Sequence, residues 1–266
     1  MYQPDRIRKV LIGMVHLGAL PGTPRNTMSV NELVEKACSE ARCYLDAGMD
    51  GIMIENMHDV PYLKAQAGPE IVAAMTAVAL ELSRMTDKPL GLQVLAAANK
   101  EALAVALGAG FSFIRAEGFV FGHLADEGYI DACAGELLRY RKQIGAEHIA
   151  IYTDVKKKHS SHALTADVSL AETVKTAEYF LSDGVIITGS STGEAALIDE
   201  VKAARRATTL PLIIGSGINS ENLGQYWPHA DVFIVGSSIK RNGKWENEPD
   251  QERVVQLVQT AEMLRQ

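Results

Sequence analysis

Pro211-Leu-Ile-Ile-Gly-Ser-Gly-Ile218 and, further on, Asp231-Val-Phe-Ile-Val-Gly-Ser-Ser238 decide how this chain is read. Each is a short apolar run ending in a Gly/Ser turn, and the first turn leads into a segment of helical character. Runs without polar alternation are the pattern of parallel strands buried on both faces. Glycine lets the backbone approach a ligand closely. Two successive turns can point unpaired N–H groups into one cup, which suits an anion, most often phosphate. Paired turns of this kind near the C-terminus mark one subclass of (β/α)8 TIM barrel, the phosphate-binding type. Gly215, Ser216, Gly217, Gly236 and Ser237 are the candidate phosphate-binding residues.

Working outward, six more runs of the same kind precede these two. The expected strands are Val10–Val15, Gly51–Glu55, Leu90–Leu95, Ser112–Glu117, Ile149–Asp154, Gly184–Thr188, Leu212–Gly215 and Val232–Val235. Helical periods separate them. Ser29-Val-Asn-Glu32 is a capping box and Ala47-Gly48 a helix stop. Gly68-Pro69 opens a second helix and Asn99 a third. Others are expected over Ala134–Gln143, Leu170–Leu181, Gly193–Arg206, Glu221–Trp227 and Gln251–Arg265. Eight strands alternating with about eight helices over 266 residues match one closed barrel, a single domain spanning 1–266. An open doubly wound sheet would want a Gly-x-Gly-x-x-Gly turn after its first strand, and none is present. Long connections follow the first, fourth and fifth strands, at 16–28, 118–133 and 155–168. Strand C-termini are where barrels build their sites, so these loops are expected to be lids or walls.

The strands also assign an inward register, because alternate side chains face opposite sides. Placing the apolar set toward the helices leaves His16, Glu55, Gln93, Arg115, Glu117, Tyr152, Asp154 and Thr188 near one mouth. So many polar groups are costly to bury unless they pair or serve a ligand. The candidate catalytic residues are Glu55, Asp154, His16, Arg115, Glu117 and Lys156. Glu55 or Asp154 is a candidate general base, since a carboxylate in a partly dry mouth has its pKa raised. His16 would relay protons or hold a carbonyl, and Arg115 would bind a second anionic group. Lys156 would form a Schiff base only if desolvated; otherwise it belongs to a solvated basic loop. The alternative for the whole cluster is a self-satisfied network with Arg115 clamped by Glu117 or Glu55. Glu55, His58, Asp154 and His159 lack tight ligand spacing, so neither a metal nor another cofactor is expected.

Bulk properties narrow the partners. Apolar content of 47% and a net charge of −7 fit a soluble globular protein and argue against nucleic acid and anionic membrane. No apolar run reaches membrane-spanning length, and the N-terminus lacks secretory features, so no membrane insertion is expected. Cys38, Cys43 and Cys133 form no metal or redox spacing, which fits a cytoplasmic location. A barrel with several apolar helices is expected to form a homo-oligomer.

Taken together, Gly13-Met-Val-His-Leu-Gly-Ala-Leu-Pro-Gly22, Ile54-Glu-Asn56, Arg115-Ala-Glu-Gly118, Asp126-Glu-Gly128, Asp154-Val, Lys158-His159, Thr188-Gly, Gly215-Ser-Gly217, Glu221-Asn222 and Ile234-Val-Gly-Ser-Ser-Ile-Lys240 resemble the BtpA family, including its SgcQ-like bacterial members. The resemblance runs from about Arg8 to Arg265. It implies a phosphate-binding barrel, a photosystem I biogenesis role in cyanobacteria, and a nucleoside- or sugar-related enzyme elsewhere. It supplies no established reaction. The expectation is thus an enzyme acting on a small phosphorylated metabolite by isomerase, epimerase or lyase chemistry. The alternatives are a non-enzymatic assembly factor and a barrel that binds ligand without catalysis.

Overall fold

β1 (Val10–His16) begins a closed ring of parallel strands in the computed structural model, which describes residues 3–4 and 8–266. The chain continues through α1 (Val30–Ala47), β2 (Gly51–Glu55), α2 (Pro69–Met85), β3 (Leu90–Gln93), α3 (Asn99–Ala109) and β4 (Phe113–Ala116). An excursion, β5 (His123–Ala125) and β6 (Gly128–Ile130), precedes α4 (Ala134–Gln143) and β7 (Ala150–Asp154). After the short β8 (Ser160–Ser161) come α5 (Leu170–Tyr179), β9 (Gly184–Ile187), α6 (Ile198–Ala207), β10 (Leu212–Ile214), α7 (Leu223–Tyr226), β11 (Val232–Val235) and α8 (Gln251–Leu264). The barrel order is β1-β11-β10-β9-β7-β4-β3-β2, so the expected (β/α)8 TIM barrel is the fold.

Strand alternation builds two apolar layers. Leu11, Ile52, Ile54, Leu92, Ile114, Ile151, Val185, Leu212 and Phe233 pack outward against the helices. Ile12, Met14, Met53, Phe113, Ala150, Tyr152, Ile186, Ile213, Val232 and Ile234 fill the barrel. Both sets are almost wholly buried, and this two-sided burial is why the strand sequences carry no polar alternation. The register carries Met53 level with Met14, and Glu55 level with both His16 and Gln93. Three polar side chains therefore leave the top of adjacent strands at one height.

Helix ends follow their local chemistry. The Ser29 hydroxyl accepts from the Glu32 amide at 3.3 Å, while the Glu32 carboxylate accepts from the Ser29 amide at 2.8 Å. Gly48 closes α1 in the left-handed region at φ 100°. Ser29→Ala removes the hydroxyl half of this exchange at an exposed site, leaving the backbone amide to the Glu32 carboxylate, and is expected to cost about 1 kcal/mol in urea unfolding; an unchanged midpoint would show that the hydroxyl cap contributes nothing.

Several boundaries differ from the sequence expectation. β3 stops at Gln93 rather than Leu95, because the Leu95 amide turns away to the Asn56 side-chain oxygen at 2.8 Å. α6 begins at Ile198 rather than Gly193. The segment before it is held in a loop by Ser216 and Tyr226, whose hydroxyls donate to the Glu194 and Ala196 carbonyls at 2.9 and 2.7 Å. The region 221–227 makes only the single turn α7. The long loops after β4 and β7 are joined: β5 pairs antiparallel with both β6 and β8, giving a small sheet.

Candidate active site

Two adjoining cavities open at the C-terminal ends of the barrel strands. One, about 480 Å³, runs from the turns after β10 and β11 to His16, Glu55 and Arg115. The other, about 310 Å³, extends toward Tyr62, Gln93, Glu117 and Trp245. Glu55, Met57, Arg115, Lys158 and Thr192 line both, so the two form one site with a polar waist. Volumes of this size suit small-molecule ligands.

At the first end, Gly215, Ser216, Gly217, Gly236 and Ser237 all line the cavity. Gly217 has φ 72°, and a Cβ there would lie 2.2 Å from the Ala195 backbone nitrogen, so only glycine fits. A Cβ on Gly236 would lie 2.9 Å from the His16 ring. Among the described residues, the backbone amides of Gly217, Ser237 and Ser238 have no backbone acceptor. The Ser216 hydroxyl is engaged, accepting from the Gly189 amide and donating to the Glu194 carbonyl, both at 2.9 Å. It ties two loops together, leaving backbone amides as the free donors. Arg253 of α8 adds a guanidinium to the wall, with its Nη1 donating to the Ser238 carbonyl at 3.3 Å. Behind the second turn, the Lys240 ammonium pairs with Glu40 of α1, and the Tyr44 hydroxyl donates to the same carboxylate at 3.0 Å. Both charged groups are buried, which anchors the turn to α1.

At the waist, Arg115 and Asp154 make a two-pronged pair. Nε and Nη2 donate to the two carboxylate oxygens, each at 2.8 Å, and Nη1 reaches the Gly215 carbonyl at 3.5 Å. Asp154 thus has both oxygens committed, and the sequence-stated alternative of Arg115 clamped by Glu55 or Glu117 gives way to this partner. Glu117 is also committed: one oxygen accepts from the Ala97 amide at 3.0 Å, the other lies 3.3 Å from the Lys157 ammonium. Tyr152 packs on Phe113, ring centroids 5.4 Å apart, within the apolar filling below the mouth. The Thr188 hydroxyl accepts from the Lys158 amide at 3.3 Å.

Glu55 and His16 are arranged differently. Among the described residues the Glu55 carboxyl has no hydrogen bond, and its nearest ionic partner is His16 Nε2 at 3.9 Å. Burial pushes the Glu55 pKa up, against the opposing pull of Arg115 and Lys158. Burial, and then the nearby charges of Lys240, His58 and Lys158, hold His16 well below the usual imidazole range. A carboxyl with a raised pKa beside a neutral imidazole is a donor–acceptor pair suited to proton transfer.

Of the lysines in the loop after β7, Lys156 does not enter the site. Its ammonium donates to the Thr165 carbonyl at 3.2 Å, outside both cavities. Lys158 lines both and was singled out from sequence only as part of a family motif. Loop geometry decides this, since Lys156 and His159 adopt positive φ of 46° and 54° and strand alternation no longer applies. Trp245, which lies 5.7 Å from the His16 ring, and Tyr62 also come from irregular segments that carry no periodic signal. Among the described residues, no group of three or more His, Cys, Asp or Glu is arranged to hold a metal ion. Among the described residues no helix is long and apolar enough to cross a membrane.

Fold and mouth together define a (β/α)8 barrel with a two-lobed site over its strand ends. The chain belongs to the BtpA family, whose model matches residues 7–263. It is 48% identical over 97% of its length to an uncharacterized mitochondrial protein of Caenorhabditis elegans, covering 95% of that protein. It is 34% identical over 97% of its length to the photosystem I biogenesis protein BtpA of Synechocystis, covering 90% of it. A solved thiamine phosphate pyrophosphorylase from Pyrococcus furiosus shares the fold, with TM-score 0.58 at 13% identity, over 97% of this chain and 98% of that one. A structure described as native KDPGal does likewise, with TM-score 0.56 at 13% identity, over 95% and 94%.

Proposed function

We propose that this chain is an enzyme acting on a small phosphorylated metabolite, a sugar phosphate or nucleoside-related compound, by isomerase, epimerase or lyase chemistry. The observation that carries this is the continuity of one cavity from the free amides of the glycine turns to the Glu55–His16 pair. The amide cup with Arg253 would hold a phosphate dianion. Fixing that end orients the reacting end, so that remote binding energy serves the chemical step. Glu55 would donate a proton to a carbonyl or enediolate oxygen, and neutral His16 would take one up. The buried Gln93 side-chain oxygen, which has no partner among the described residues, is an acceptor left for a substrate hydroxyl or N–H at the second lobe.

The test is thermal unfolding against a panel of aldose, ketose and nucleoside phosphates, each beside its unphosphorylated counterpart. A ligand at about 100 times its Kd contributes about 2.7 kcal/mol of stability. The phosphorylated member of one pair is expected to raise Tm, and Gly217→Ala to remove that rise, since a Cβ there collides with the neighbouring loop. Equal rises for both members of every pair would remove phosphate from the proposal.

An assembly factor without catalysis is supported by the name of the Synechocystis relative. The proposed setting is the cytoplasm, which three free cysteines support. A homo-oligomer is supported by the exposed apolar run Tyr179, Phe180 and Leu181 at the end of α5.

A further inference from the structure

We propose that Lys158 is the reactive amine of this site, forming an imine with a carbonyl carbon of the bound substrate. It rests on the phosphate-anchored enzyme proposed above and adds the covalent step. Four lysine or arginine side chains are drawn into or against the mouth from β4, the β7 loop and the β11 turn. Arg115 is committed to Asp154, Lys157 to Glu117 and Lys240 to Glu40. Among the described residues Lys158 has neither hydrogen bond nor ion pair through its ammonium, though it is half-buried and lines both lobes. Its backbone is pinned by the Thr188 hydroxyl, and the next amide donates to the Ser190 carbonyl at 3.4 Å. The side chain is therefore placed by the fold without being neutralised by it.

Burial first, and then the Arg115 charge, lower the Lys158 pKa, against the opposing pull of Glu55, Asp154 and Glu117. This favours the uncharged amine, the only nucleophilic form. Its lone pair attacks the carbonyl carbon, and the oxygen gains a proton to give a carbinolamine. The oxygen takes a second proton and leaves as water, while nitrogen, having given up both its protons, forms the C=N bond. Glu55, whose pKa burial raises and which lines the same lobes, supplies the proton for departure and recovers one from nitrogen. No external oxidant or reductant is needed.

The experiment labels the intact protein at neutral pH with two aldehydes, each followed by borohydride reduction and peptide mapping. Formaldehyde reports the amine alone, and pyridoxal phosphate reports an amine beside a phosphate cup. The expected result is that formaldehyde labels Lys158 several-fold faster than the exposed Lys64 and Lys244, and that Lys158→Met loses the label while Lys156→Met keeps it. Pyridoxal phosphate is expected to label the same position, with inorganic phosphate slowing that reaction and not the formaldehyde one. If formaldehyde labels Lys158 no faster than Lys64 and Lys244, the reactive amine is overturned, whatever the phosphate result. If formaldehyde selects Lys158 but pyridoxal phosphate does not, the amine stands and the phosphate cup falls. The wild-type map decides this even if Lys158→Met fails to fold.

Discussion

Asp154→Asn is expected to lower the folding free energy by about 3–5 kcal/mol, read as a shift of the denaturant midpoint at unchanged slope. The reason is Arg115, not the aspartate. Arg115 is 4% exposed and its guanidinium rests on two 2.8 Å bonds to the Asp154 carboxylate. Asparagine keeps the shape and loses the charge, so a buried cation is left without compensation. Replacing both partners with apolar residues of similar volume is expected to recover most of the loss, because two desolvation penalties then vanish together. A single variant within about 0.5 kcal/mol of wild type would show that the pair is not a structural clamp. One consequence concerns activity: a dead Asp154→Asn enzyme would not identify Asp154 as the base, since Arg115 and the Gly215 carbonyl it reaches would move with it.

The sequence makes the barrel legible because burial on both faces leaves its imprint on each strand. β2, with residues Gly51–Glu55, and β11, with Val232–Val235, fall where their apolar runs end. The inward register is equally legible, since one misplaced step would turn Ile52 and Ile54 into the barrel and Glu55 toward the helices. Side-chain commitment is not legible. Nothing local in Asp154 or Glu117 shows that their partners are Arg115 and Lys157, and nothing in Lys240 points to Glu40, 200 residues earlier. The first two pairings join the ends of neighbouring strands β4 and β7, about 40 residues apart, and the third is brought together where β11 closes on β1. Beyond the strand ends the period of two is lost altogether, which is why Lys158 rather than Lys156 enters the mouth. Ser216 illustrates the same limit: the turn is readable, but its hydroxyl is spent on the loop before α6, leaving the amides as donors.

The carboxylate that remains uncommitted at the waist among the described residues is Glu55, and Glu55→Gln is expected to reduce turnover by about 10²–10⁴-fold, the usual contribution of one general acid–base group. Stability should move the other way. Burial raises the Glu55 pKa above its ordinary 4.5, outweighing Arg115 and Lys158. The folded state therefore binds a proton that the unfolded chain releases over that window, and stability falls as pH rises from the ordinary carboxylate range through the folded pKa. Glutamine imitates the protonated form at every pH, so the variant is expected to match wild type in acid and to exceed it at neutral and alkaline pH. Wild-type kcat should fall over the same window in which its stability falls, because the proton lost is the one the reaction uses. These two readouts separate chemistry from architecture: a structural carboxylate would lose stability on conversion to glutamine. If Glu55→Gln is both fully active and less stable at alkaline pH, Glu55 is an ionised scaffold group, and the acid must be sought elsewhere on the rim.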